Sequence, residues 1–155
     1  MNTIVPKNRN ILIAVDASEN AKRAVLYVKD LLVGLPGFHV TIATIIPRPP
    51  EDYFITEEEK NTWIENQNKT AQRILEDYRQ IFIQADFREE DVVSHLVMKE
   101  CTSLAECILD ELKRLSCGTV VIGRRGISRK EEFMFGSTSS KILHTAKDCS
   151  VWVIE

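Results

Sequence analysis

A chain of 155 residues, 44% apolar and 28% charged, is long enough to close one hydrophobic core, and a single domain over residues 1–155 is expected. Its formal charge of −3 excludes the global basic field that draws proteins onto nucleic acid or anionic membranes, so any bound anion must be held by local geometry. Residues 1–10 are polar and no apolar run approaches the ~20 residues of a membrane span, so no signal peptide or membrane contact is expected, and the predicted location is the cytoplasm.

The first apolar run, residues 11–15, leads through Asp16, Ala17 and Ser18 into a helical pattern over residues 19–33. There Ala21, Ala24, Val25, Val28, Leu31 and Leu32 share a face, Ser18 is suited to the N-cap, and Gly34, Pro36 and Gly37 are stop signals. A second run, residues 40–46, leaves through the stiff sequence Pro47, Arg48, Pro49, Pro50. The helix predicted over residues 56–84 opens with Glu57, Glu58 and Glu59, which suit the helix dipole. Its later half carries Ala71, Ile74, Leu75, Tyr78, Ile81 and Phe82 at core spacing, and its polar earlier half should project. The third run, residues 92–98, is interrupted by Ser94 and His95 and so belongs near a sheet edge. Next come a helix over residues 103–115 burying Leu104, Ile108, Leu112 and Leu115, and a strand at Thr119–Gly123. A helix over residues 137–147 burying Ile142, Leu143 and Ala146 precedes the last run, residues 151–154.

The runs are rich in Val and Ile and mostly continuous, as in strands covered on both faces. The order βαβαβαβαβ predicts an α/β protein with a five-stranded parallel sheet and helices on both sides. In such sheets ligands bind beyond the carboxyl ends of the strands, where the strand order reverses. For the order 3-2-1-4-5 that point lies between the first and fourth strands.

After the fourth strand the chain reads Gly123-Arg124-Arg125-Gly126, then nine residues, then Gly136-Ser137-Thr138-Ser139-Ser140. Glycines let the backbone approach a phosphate closely. Ser137, Thr138 and Ser139 open the fourth helix, whose free N–H groups and dipole favour an anion and whose hydroxyls add donors.

The spacing G-x2-G-x9-G-[ST], met by Gly123, Gly126, Gly136 and Ser137, resembles the signature of the universal stress protein family. The opening sequence Ile11-Leu12-Ile13-Ala14-Val15-Asp16-Ala17-Ser18, the element order and the length resemble it too, over nearly the whole chain. The resemblance implies a Rossmann-like (adenine nucleotide alpha hydrolase-like) sheet in the order 3-2-1-4-5, binding of ATP with Mg2+, and homodimerisation. It places Asp16 near the ribose or metal-phosphate region, the backbone near Ile46 on the adenine, and Gly123, Gly126, Gly136, Ser137 and Ser139 on ribose and phosphates. The last strand (Val151, Trp152, Val153, Ile154) is the expected dimer edge. Where the family often has a proline before that strand, this chain has Asp148-Cys149-Ser150.

Other readings of these residues are local. Asp16 is also suited to ordering its own loop, and Ser137 to Ser140 to capping a helix. Arg124, Arg125, Arg129 and Lys130 read as solvated charges beside Glu131 and Glu132, and His95 as a packed or edge histidine. Cys101, Cys107, Cys117 and Cys149 form no C-x-x-C pair and no zinc spacing, and are expected as reduced thiols. No catalytic motif occurs: there is no G-x4-G-K-[ST], G-x-S-x-G or H-E-x-x-H, so no enzyme is expected beyond slow ATP hydrolysis by metal-activated water. An ATP-pyrophosphatase would need an S-G-G-x-D-S-type loop where Asp16-Ala17-Ser18-Glu19 stands. The alternative is an interaction protein that uses the fold and its dimer surface without nucleotide.

Overall fold

The computed structural model of the chain describes residues 8–124 and 137–155. In chain order the elements are β1 (Asn10–Ala14), α1 (Glu19–Leu32), β2 (His39–Pro47), α2 (Glu57–Gln84), β3 (Val92–Lys99), α3 (Leu104–Arg114), β4 (Thr119–Gly123), α4 (Ser137–Thr145) and β5 (Ser150–Ile154). Single 3-10 turns precede α2 and β3. All pairings are parallel, in the order β3-β2-β1-β4-β5, so the sheet is doubly wound as the alternating pattern predicts.

Local chemistry sets the helix ends. Ser18, Thr56 and Ser103 each accept a hydrogen bond from the backbone three residues on, capping α1, α2 and α3. Gly34 follows the C-cap Val33 with φ 77°, a left-handed conformation that a β-carbon would strain. Asp148 also has positive φ, at 56°, which aspartate tolerates and the proline ring forbids.

The sheet separates two cores. On one side α1 and the later half of α2 pack Val25, Val28, Leu75 and Phe82 onto Ile11, Ile13 and Ile42. On the other, α3 and α4 pack Ile108, Leu112 and Ile142 onto Leu12, Val120 and Ile122. The first half of α2 has no buried residue before Ala71 and projects, as its polarity predicts.

Two apolar positions differ from the periodicity reading. Leu31 is 46% exposed because Leu32 takes the inward position at the end of α1, and Leu143 is 49% exposed because Ile142 does so in α4. Adjacent residues are about 100° apart on a helix, so a narrow contact buries only one of such a pair. The cysteines differ as well: Cys101 and Cys107 are joined in a disulfide, whereas Cys117 and Cys149 are free. The spacing C-x5-C carries no signature, but the turn from β3 into α3 brings the two Cα atoms to 5.8 Å, within bridging range.

Candidate functional site

A cavity of about 430 Å3 opens beyond the carboxyl ends of β1 and β4, where the strand order reverses. Its floor comes from the strand ends: Ala14 and Val15 after β1, Ala43, Thr44 and Ile45 in β2, and Ile122 and Gly123 in β4. Ser103, Leu104, Ala105 and Ile108 of the α3 region form one wall. Thr138, Ser139 and Lys141 of α4 form another, with Asp16, Ser18 and Ala21 at the α1 side.

Backbone and side-chain bonds fix this rim. Val15 N–H donates to Ala43 O at 2.8 Å, and the Thr44 hydroxyl donates to Val15 O at 3.2 Å, which holds the end of β1 against β2. Asp16 is exposed, and its Oδ1 accepts from Ser18 N–H at 2.8 Å, so the aspartate does order its own loop. That bond engages one carboxylate oxygen and leaves the charge on the cavity rim. The Tyr78 hydroxyl donates to Asp16 O at 3.3 Å and so ties the loop to α2. Burial raises the Tyr78 pKa, and the carboxylates of Asp16, Glu19 and Asp77 raise it further, which keeps the phenol a neutral donor.

The two ends of the rim differ in charge. Lys141 places an ammonium on the α4 wall, 3.6 Å from Glu106, and Asp16 carries the opposite charge across the cavity. Ser139 is 1% exposed. Gly123 meets α1 closely: a β-carbon there would lie 2.4 Å from Asn20 O and 2.5 Å from Asn20 C. The glycine is therefore needed for helix–strand packing as well as for openness toward a ligand.

Of the residues expected from sequence, Asp16, Gly123, Thr138 and Ser139 meet at this one cavity. Ser137 begins α4. Ile46 is buried in β2, one position beyond the lining residue Ile45, and is not among the lining residues. Gly126 and Gly136, with Arg125, Arg129 and Lys130, lie outside the described residues. Arg124 is not a solvated charge: its side chain is 24% exposed and lies 2.7 Å from Glu155, and its N–H donates to Ile154 O.

Four polar lining residues, Ser18, Thr44, Ser103 and Lys141, were not expected at the site, and Ser18 was read only as a helix cap. Ser103 follows β3, and a reading confined to the loops after β1 and β4 passes over it. Lys141 stands in the second turn of α4, beyond the stretch of small hydroxyl residues that drew the sequence reading. Thr44 gives no signal within an apolar strand. Among the described residues, no group of three or more His, Cys, Asp or Glu side chains is placed to hold a metal, and no helix is long and apolar enough to cross a membrane.

Five parallel strands wound from the centre outward, with a cavity at the reversal point, define a doubly wound, Rossmann-like α/β protein. The model of the universal stress protein family matches residues 7–155, and the chain belongs to that family. Its fold is similar to that of the universal stress protein from Lactobacillus plantarum, at 19% identity and TM-score 0.73, covering 97% of this chain and 100% of that one. A universal stress protein from Archaeoglobus fulgidus in complex with dAMP is similar at 19% identity and TM-score 0.63, covering 96% and 99% of the two chains. A universal stress protein in complex with cAMP is similar at 17% identity and TM-score 0.68, covering 96% and 98%. No curated protein matches the chain significantly.

Proposed function

We propose that this protein binds Mg-ATP in the cavity beyond β1 and β4 and acts as a regulatory nucleotide-binding protein in the stress response, without rapid turnover. The observation that carries the reading is the cavity itself, which gathers an apolar floor, the start of α4 with Thr138 and Ser139, and the opposed charges of Lys141 and Asp16. Its volume of about 430 Å3 lies in the range of small-molecule sites, largely apolar with a few convergent polar groups. Similar folds in complex with dAMP and cAMP support an adenine nucleotide as the ligand class.

The residues fit the ligand in sections. Ala43, Ile45, Leu104 and Ile108 offer an apolar slot for a flat base, with the backbone near Ile46 as the proposed contact to the adenine edge. Gly123, Gly126, Gly136, Ser137, Thr138 and Ser139 are the proposed ribose and phosphate contacts, and Lys141 adds a cation beside them. Magnesium commonly takes one or two carboxylates with phosphate oxygens and waters, and Asp16 is suited to that share. A bound Mg2+ would neutralise phosphate charge and activate water weakly. A homodimer joined through β5 and a cytoplasmic location complete the proposal.

Isothermal titration of nucleotide-free protein with Mg-ATP tests the reading, with Thr138→Ala and Lys141→Ala as site variants. Saturable binding that weakens several-fold in the variants is the expected result. Absence of binding overturns it, and leaves the alternative of an interaction protein that uses the fold without nucleotide.

A further inference from the structure

The disulfide between Cys101 and Cys107 brackets one wall of the cavity. Cys101 lies just beyond the end of β3, Ser103 caps α3, and Cys107 stands in the first turns of that helix. Between the two sulfurs Ser103, Leu104 and Ala105 line the cavity, and Ile108 follows. We propose that the Cys101–Cys107 pair is a reversible redox site that tunes the affinity of the cavity for nucleotide, the disulfide form binding more tightly. The inference rests on the nucleotide-binding reading above and adds its regulation.

The physical reason is preorganisation. With the bond closed, residues 101–107 form a covalent ring that fixes the end of β3 against the first turns of α3. Opening it returns backbone and rotamer freedom to a segment that carries three lining residues, and a ligand must then order that segment as it binds. The helix cap remains in both forms, because Ser103 Oγ accepts from Glu106 N–H independently of the sulfurs. The switch therefore loosens a wall without melting the helix.

Access and selectivity follow from burial. Cys101 is half-buried between the exposed residues Glu100 and Thr102, whereas Cys107 is 3% exposed. An external reagent thus meets Cys101 first. The two remaining thiols stay protonated at neutral pH: burial raises the pKa of Cys117, and burial together with the Asp148 charge raises that of Cys149.

The oxidant class is a low-molecular-weight disulfide. Deprotonated Cys101 attacks one of its sulfurs, forming a mixed disulfide and releasing one thiolate that takes up a proton. Cys107, losing its proton, then attacks the Cys101 sulfur, which closes the internal bond and releases the second thiol. Two cysteine thiols are oxidised by two electrons and one external disulfide is reduced to two thiols. Reduction by a thiol pair runs the same steps backward.

The test compares the full chain equilibrated with glutathione disulfide and with tris(2-carboxyethyl)phosphine, each titrated calorimetrically with Mg-ATP. Alkylation and peptide mass establish the state of each cysteine. The disulfide form is expected to bind about five-fold or more tightly than the reduced form, the effect of ordering one or two side chains beforehand. Cys101→Ser and Cys107→Ser should bind like the reduced form under both conditions, and Cys117→Ser should keep the response. Equal affinity in the two states, or tighter binding by the reduced form, overturns the inference and leaves the nucleotide reading standing. Failure of Cys101 and Cys107 to pair in glutathione disulfide also overturns it. Absence of binding in both states overturns the nucleotide reading and this inference together.

Discussion

A β-carbon on Gly123 would sit 2.4 Å from the carbonyl oxygen of Asn20 and 2.9 Å from the nitrogen of Ala21, both backbone atoms that cannot swing aside. Gly123→Ala must therefore push the end of β4 away from α1, and a cost of about 1–3 kcal/mol is expected, read as a lower urea midpoint with an unchanged slope. A variant as stable as the parent would show that α1 can shift and that the glycine serves the ligand alone. Glu111 of α3 tests electrostatics on the opposite face of the fold. Its side chain is 3% exposed and faces His95 at 2.9 Å, Lys99 at 3.2 Å and the Arg114 guanidinium. Burial pushes its carboxyl up, but hydrogen bonds from Arg114, His95 and Lys99 outweigh burial and bring it from 4.5 down to about 2. Because the folded state holds the proton less tightly than the unfolded chain, this carboxylate stabilises the fold above about pH 4.5, and the contribution fades as pH falls toward 2. Its size is on the order of 3 kcal/mol. Urea unfolding of the parent and of Glu111→Gln should differ most near pH 7 and converge in acid, and a pH-independent difference would show that the carboxylate acts only by packing.

Element boundaries were legible because caps and stops are local. Ser18 was read as the cap of α1, which begins at the next residue, whereas the helices expected from residues 56 and 103 begin one residue later because Thr56 and Ser103 are themselves the caps. Strands were legible from continuous Val and Ile runs, and the break at Ser94 and His95 marked β3, which is an edge strand. What the sequence could not supply is which of two neighbouring apolar residues turns inward, and Leu31 and Leu143 were lost on that point. The candidate site divides in the same way. Asp16, Gly123, Thr138 and Ser139 could be proposed because each lies at a strand end, in the loop after one, or at a helix start. Ser103 and Thr44 reach the cavity only because β3, β2 and α3 are laid beside it in three dimensions. The Cys101–Cys107 bond belongs to this class too, since a six-residue separation becomes a contact only once the chain turns from β3 into α3.

At the scale of the whole molecule the sheet of the described residues has two edge strands, β3 and β5, and they differ in chemistry. Along β3, His95 and Lys99 engage Glu111, and a lysine on an edge strand discourages strand addition. Along β5, Val151, Trp152, Val153 and Ile154 are uncharged and only partly buried, which favours pairing with a second copy. The ladder to β4 identifies the groups that such pairing would use. Ser150 N–H donates to Gly118 O and Ile154 O accepts from Arg124 N–H, so residues 150 and 154 face β4. The period of two along a strand then turns the backbone groups of Val151 and Val153 outward. Val153→Pro removes one outward N–H without breaking the ladder to β4, a substitution that an edge strand tolerates. Light scattering at micromolar concentration is expected to give a dimer for the parent and a monomer for Val153→Pro, with the circular dichroism of the two alike. A parent that is monomeric would refute the homodimer. A Val153→Pro variant that stays dimeric would move the interface off the β5 edge, to a surface where β-strand hydrogen bonds play no part.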